Sequence, residues 1–213
     1  MMATSEFDKH ALSNRIAEKI THQIITGELK PGEKLVENLY AEEFGISRAP
    51  IREAIYLLTI EGLVEKIPRK GAVVKHYSPN EIYDLLEIRN MLESMAMRRI
   101  KEHGVDPAII KKMNSLLDTM QEERDVNHYA QLNQLFHKYI IEMSQSETIK
   151  TIYNRLTTPL LTIQSISFSY GGNIEKSIEE HSLLIHLLRS QKLDEAKGLL
   201  EKHNHDVVVG FKG

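Results

Sequence analysis

Between residues 44 and 64 the chain runs FGISRAPIREAIYLLTIEGLV, and this stretch admits few folds. Ser47 suits a helix N-cap, and Pro50 is tolerated only in a first helical turn, where backbone N–H groups have no intrahelical partner. A helix is therefore expected from Arg48. Ile51, Ile55, Leu58 and Leu63 mark an apolar stripe along it, while Arg48, Arg52 and Tyr56 recur every four residues on the opposite side. One face anchors and the other reaches outward.

Upstream, ENLYAEEFGIS supplies a short helix with Leu39 and Phe44 as its expected anchors, and Gly45 supplies a tight turn. Two helices meeting steeply at such a turn form a helix-turn-helix. In that motif the N-terminal end of the second helix enters the major groove of DNA, where Arg pairs with guanine or grips phosphate. Ser47, Arg48, Ala49, Pro50 and Arg52 occupy that end. After Gly62, VEKIPRKGAVVKH offers two strand-like pieces, 64–67 and 72–75, around the turn Pro68, Arg69, Lys70, Gly71. A hairpin with a basic tip is a wing, and Gly71 lets backbone approach a sugar-phosphate chain closely. Taken singly, each arginine reads better as part of a solvated face or polar turn. Together, basic helix start, basic turn and anchoring helix point to double-stranded DNA.

Charge accords with that reading only after the halves are separated. The 213 residues carry a net charge of −3, yet residues 1–76 hold eleven Lys and Arg against eleven Asp and Glu. The acid excess lies in the remainder. A neutral domain must grip DNA through a few placed arginines, with steep salt dependence, and a homodimer would double the contacts. The chain has no cysteine, no apolar run long enough to span a bilayer, and a start, MMATSEFDKH, without the pattern of an export signal. A cytoplasmic protein with no membrane partner is expected, its N-terminus loose around His10.

The domain boundary is expected at 76/77, where YSPNEIYDLLEIRNMLESMAMRRI opens on a capping-type Ser-Pro-Asn-Glu. Six helical segments follow, at about 79–103, 106–124, 126–144, 146–168, 173–190 and 192–207. The fold class is mainly α: a winged helix-turn-helix over 1–76, then an antiparallel all-α bundle of about six helices over 77–213. Pro159 is expected to kink the fourth bundle helix.

Three of the ten histidines fall on apolar stripes. His137 shares a face with Tyr129, Asn133, Ile140 and Ile141, His181 with Ile178, Leu184 and Leu188, and His203 with Leu199, Leu200 and Val207. His186 aligns with Ser182 and Arg189 on a polar face. Three inward imidazoles and the Asn133 amide, one turn before His137, suit a divalent metal with open positions; each also reads as a core histidine satisfied by hydrogen bonding. Glu179 and Glu180, beside His181, are expected to project elsewhere. Arg89 lies inward on the stripe Ile82, Leu86, Glu93, Ala96, Ile100, where its charge needs an anion. Glu93, one turn on, is the nearest partner, and the carboxylate of a small effector is the functional alternative.

The segment LKPGEKLVENLYAEEFGISRAPIREAIYLLTIEGLVEKIPRKGAVV resembles the GntR family of bacterial transcription regulators, with its PGxxL turn, SRxPxREA core and EGLV exit. The resemblance implies DNA contacts by Ser47, Arg48, Arg52 and Gly71; Ala49 stands where the family more often has Thr. The second domain resembles the FCD ligand-binding domain, through EIRNMLE, LFHKYI and IEEHSLLIHLLRSQKLDEAKGLLEKH. That likeness implies a metal held by an Asp and three His, matching His137, His181 and His203, with Asn133 at the Asp position and so without its charge. It further implies zinc, with nickel or manganese as alternatives, and a small organic-acid effector. The expected protein is a homodimeric repressor reading a palindromic operator and controlled by that acid. Two other readings stand beside it: a regulator whose bundle only dimerises and binds no metal, and a His-metal hydrolase, against which no HExxH motif is present.

Overall fold

The computed structural model describes the backbone of residues 6–210 and the side chains of 11–206. The chain divides into two compact units, Met1–His76 and Tyr77–Gly213.

The first unit begins with a helix the sequence reading left as a loose end. Helix α1 spans Glu6–Ile25, and Ile16, Ile20 and Ile24, four residues apart, are all buried. Each such isoleucine contributes roughly 1.5–3 kcal/mol through burial. They pack into one cluster with Ile51, Ala54, Ile55 and Leu58 of helix α3, Arg48–Ile60. Between them runs α2, Glu37–Phe44, closed by Gly45 in the left-handed conformation (φ 63°), whose N–H bonds back to the carbonyls of Ala41 and Glu42. The anchor of α2 differs from expectation: Tyr40 is buried and Leu39 is 62% exposed. One residue is about 100° of helix rotation, enough to swap core for solvent on a two-turn helix. Phe44 does pack against the cluster.

Strands β1, Val64–Ile67, and β2, Gly71–Val74, pair antiparallel with Val64 opposite Val74. Leu63, Val64 and Val74 join the core cluster, which pins the register. Residues 32–35 run beside β2, with Lys34 bridging Val73 and the Leu35 N–H donating to the Ala72 carbonyl at 2.9 Å.

The second unit is all helix among the described residues: α4 Pro79–His103, α5 Pro107–Glu122, α6 Val126–Met143, α7 Glu147–Phe168, α8 Asn173–Arg189 and α9 Leu193–Gly210. Its entry is a capping box. Ser78 caps α4 by accepting from the Glu81 N–H, while the Glu81 carboxylate accepts from the Ser78 N–H. Asp106, Asp125 and Ser146 cap the next three helices in the same way at one end. Helix α7 is assigned unbroken through the buried Pro159. Helices α4, α6, α7 and α9 pack around one centre, with α8 against α9 and α5 against α6 and α8. That arrangement turns inward-facing residues of α4, α6, α8 and α9 toward one another.

Candidate functional site

The first unit presents the start of α3 and the hairpin tip. Ser47 stands at the N-cap, yet its hydroxyl makes no capping hydrogen bond, so the side chain expected to cap is spent on nothing within the helix. Arg48, Ala49 and Arg52 are exposed and Pro50 half-buried, while Ile51, Ala54, Ile55 and Leu58 hold the opposite face in the core. Arg52 Nε lies 3.3 Å from Glu37 Oε2, a contact between two exposed groups and so of little energetic weight.

At the hairpin tip the Lys70 N–H donates to the Ile67 carbonyl at 3.1 Å, closing a turn with Pro68 second and Arg69 third. Arg69 has φ 66°, a conformation that disfavours a side chain. Holding an arginine there costs on the order of 1 kcal/mol. Gly71, at φ 90°, follows at once. Replacing Arg69 with glycine is expected to raise thermal stability slightly while weakening DNA binding and lowering the salt slope by about one. Titration at three salt concentrations checks this; an unchanged slope assigns the Arg69 charge no part in DNA contact.

The second unit gathers the three inward histidines from α6, α8 and α9. His137, His181 and His203 are all buried, and one ring nitrogen of each lies within 4.8 Å of the others. The Nε2 atoms of His137 and His181 are 3.3 Å apart. Two imidazoles on one tetrahedral zinc at ~2.0–2.1 Å would sit at nearly that separation. The rings are held from behind. His181 stacks on Phe136 with centroids 3.9 Å apart and planes 13° from parallel. His203 Nδ1 lies 2.6 Å from Glu180 Oε2, and His137 Nδ1 lies 3.1 Å from Glu93 Oε1. Glu180 was expected to point away from the site; α9 packing against α8 brings His203 to its carboxylate instead.

Glu93 is buried completely, and four groups converge on it. Arg89 Nε donates at 2.9 Å, the Tyr153 hydroxyl at 3.0 Å and Asn204 Nδ2 at 2.7 Å, with His137 the fourth. Burial alone would raise this carboxyl's pKa; Arg89, then His137, hold it well below the usual carboxylate range instead. Burial followed by the Arg89 charge pushes His137 down to about 3. Burial and the neighbouring His203 push His181 well below its ordinary value. Both rings are therefore neutral near pH 7, and the Glu93–His137 contact joins a carboxylate to a neutral ring. Neutral imidazoles with free electron pairs are what a divalent cation takes.

Asn133 is buried on α6 one turn before His137, its Oδ1 accepting from Ser177 Oγ at 3.4 Å. Arg89 is as deeply buried. Its Nε is taken by Glu93, but neither terminal nitrogen has a well-aligned hydrogen-bond acceptor, the Tyr153 oxygen being the polar group that approaches the guanidinium besides Glu93. A small pocket lined by Ser177, Lys176, Glu180, His203 and Asp206 opens beside the cluster. His186 is exposed, as its polar face implied. Glu93 and Glu180 as props for two of the rings were not read from the sequence: Glu93 was paired only with Arg89, and no spacing rule joins residues on different helices.

A winged helix-turn-helix joined to an all-helical domain is the build of a transcription regulator. Residues 12–74 match the bacterial regulatory proteins of the gntR family, and residues 84–206 match the FCD domain. The chain belongs to the GntR family of transcription regulators, with an FCD domain as its second unit, and this is a family of regulators, not enzymes. It is similar to the gluconate operon transcriptional repressor of Bacillus licheniformis, 27% identical over 201 residues covering 91% of this chain and 82% of the relative. It is also similar to the transcriptional regulator McbR of Escherichia coli, 25% identical over 199 residues covering 90% and 88%. The solved structure of that regulator matches all of both chains with a TM-score of 0.73 at 19% identity. A GntR regulator from Rhodococcus matches with a TM-score of 0.80 at 18% identity over 92% of this chain and 95% of that one. Among the described residues no helix is long and apolar enough to cross a membrane.

Proposed function

We propose that this chain is a homodimeric repressor that reads a palindromic operator and is released by a small organic acid held in the helical domain. Ser47, Arg48, Ala49, Pro50 and Arg52 form the surface for the major groove, and Arg69, Lys70 and Gly71 the one for the backbone or minor groove. A cytoplasmic location goes with the DNA partner. His137, His181 and His203, with Asn133, would hold a divalent ion, zinc by the ligand set and nickel or manganese as alternatives. Such an ion, when bound, supplies a Lewis-acid anchor for a carboxylate.

The observation that carries the effector reading is Arg89, whose two terminal nitrogens are buried without acceptors while its Nε is fixed on Glu93. A buried guanidinium edge left unpaired is costly, and a carboxylate is the group that satisfies it bidentately. Glu93, itself fixed by the Tyr153 hydroxyl, holds Arg89 in place; Phe136 holds the His181 ring. Effector binding then acts by changing the DNA affinity of the winged domains, a coupling of typically 1–3 kcal/mol.

The test begins with selection of a binding site from random duplex DNA. Arg52→Ala should weaken that site by ~1–3 kcal/mol and relax its sequence preference; unchanged affinity would remove Arg52 from the recognition surface. A panel of monocarboxylic and sugar acids is then titrated against the complex. Release by some member supports the proposal. A complex indifferent to every acid, in a protein that takes up no metal, returns the second unit to the role of dimerisation scaffold.

A further inference from the structure

The three imidazoles gathered in the second unit, and the Asn133 amide buried one turn before His137 on α6, carry no charge of their own, and a divalent cation surrounded only by neutral buried groups lacks a counter-charge. Two carboxylates touch the rings. Glu93 is cancelled by Arg89, whose Nε donates to it at 2.9 Å, so that pair brings no net charge to the site. Glu180 is placed differently. Its Oε2 lies 2.6 Å from His203 Nδ1, and the nearby Lys176 is engaged by Asp206, at 2.6 Å, on the rim of the same small pocket.

We propose that Glu180 supplies the negative charge of this metal site, acting through His203 as a positioning residue. The inference rests on the metal reading of the three-histidine cluster. Accepting the Nδ1 proton of His203 fixes the tautomer, so that Nε2 keeps its electron pair for the ion, and the carboxylate makes that ring a stronger donor. With Glu180 in place, a divalent ion leaves the site one positive charge, which one monocarboxylate balances. The acid recognised would then be a monoanion at the metal, whatever polar groups it carries elsewhere.

The experiment compares zinc affinity, by competition with a chromogenic chelator, in the full chain and in Glu180→Gln, Asn133→Asp and the double variant, with circular dichroism to verify folding. Glu180→Gln should bind zinc roughly 10–100-fold more weakly, the range for loss of a carboxylate behind a ligating histidine. Asn133→Asp should bind it more tightly, and in that background Glu180→Gln should cost less, because the new carboxylate shares the task. Glu180→Gln with wild-type affinity overturns the proposal, as does an equal loss in both backgrounds. If Glu180→Gln does not fold, Asn133→Asp decides alone: unchanged zinc affinity shows that charge is not limiting and overturns it. A wild-type chain that takes up no zinc at all is a distinct result, which removes the metal reading and this inference with it.

Discussion

Glu93→Ala should destabilise the helical unit by about 3–5 kcal/mol, the largest loss expected from any single substitution in the molecule. The change does more than remove a contact. Arg89, wholly buried, is left charged with its Nε unpaired beside two terminal nitrogens that already lack acceptors. Tyr153 loses its acceptor as well, and Asn204 keeps only the longer bond to Asn90 at 3.4 Å. Denaturation in urea, followed by helical signal, reads the effect as a lower midpoint of the second unit's transition. Replacing both members, Arg89→Met with Glu93→Leu, should cost far less, because no unpaired charge remains. A Glu93→Ala protein as stable as the parent would show that solvent reaches Arg89. The pH dependence has a fixed sign. Glu93 is held below the usual carboxylate range, so its contribution is complete above the unfolded carboxyl pKa and is lost as pH falls through the lower folded value. The difference between parent and variant should therefore be flat near neutrality and shrink only in acid.

His181→Ala should abolish bound metal and response to acids while leaving operator binding by the ion-free protein in place. It removes the ring whose Nε2 approaches His137 Nε2 at 3.3 Å, and with it one of the three proposed nitrogen ligands. Loss of a direct ligand should exceed the ~10–100-fold typical of groups behind the ligands. Elemental analysis of protein purified without chelator should fall from about one ion per chain to none, as a single site per chain requires. Phe136 loses its stacking partner, so a modest fall in melting temperature accompanies the change. Unaltered metal content would place the ion elsewhere; a protein that cannot fold would make His181 a core residue first.

What the sequence made legible was whatever is encoded within one or two turns of chain. Gly45 and Pro50 mark the turn and helix start through backbone chemistry and stand where that chemistry puts them; Ser47 stands at the N-cap, though its hydroxyl does not cap. Ser78 and Glu81 announce α4 in the same way. The three histidines could be turned inward by periodicity because their helices are long enough for a stripe to be unambiguous. Helix α2, at eight residues, is too short for that, and Leu39 and Tyr40 exchanged places. Helix α1 was missed because its four-residue isoleucine rhythm is diluted by charged and polar neighbours; burial against α3 completes it. Glu180 lay beyond local reasoning altogether. Its role depends on which helix packs against α8, and no residue of α8 states that.

The 3.3 Å between the Nε2 atoms of His137 and His181 also has a bearing on protons. Two electron pairs cannot face each other at that distance, so without a cation one of these nitrogens carries hydrogen. Neither Nδ1 makes a well-aligned hydrogen bond, but Glu93 Oε1 stands 3.1 Å from that of His137, a contact that favours hydrogen there and leaves His181 as the ring to hold its hydrogen between the two. For His181 to offer Nε2 to a cation, that hydrogen would have to stand on Nδ1 instead. Metal uptake would then be an exchange of tautomers without change of charge on the ring, which nitrogen-15 spectra of the labelled ring would record as a swap of its two resonances.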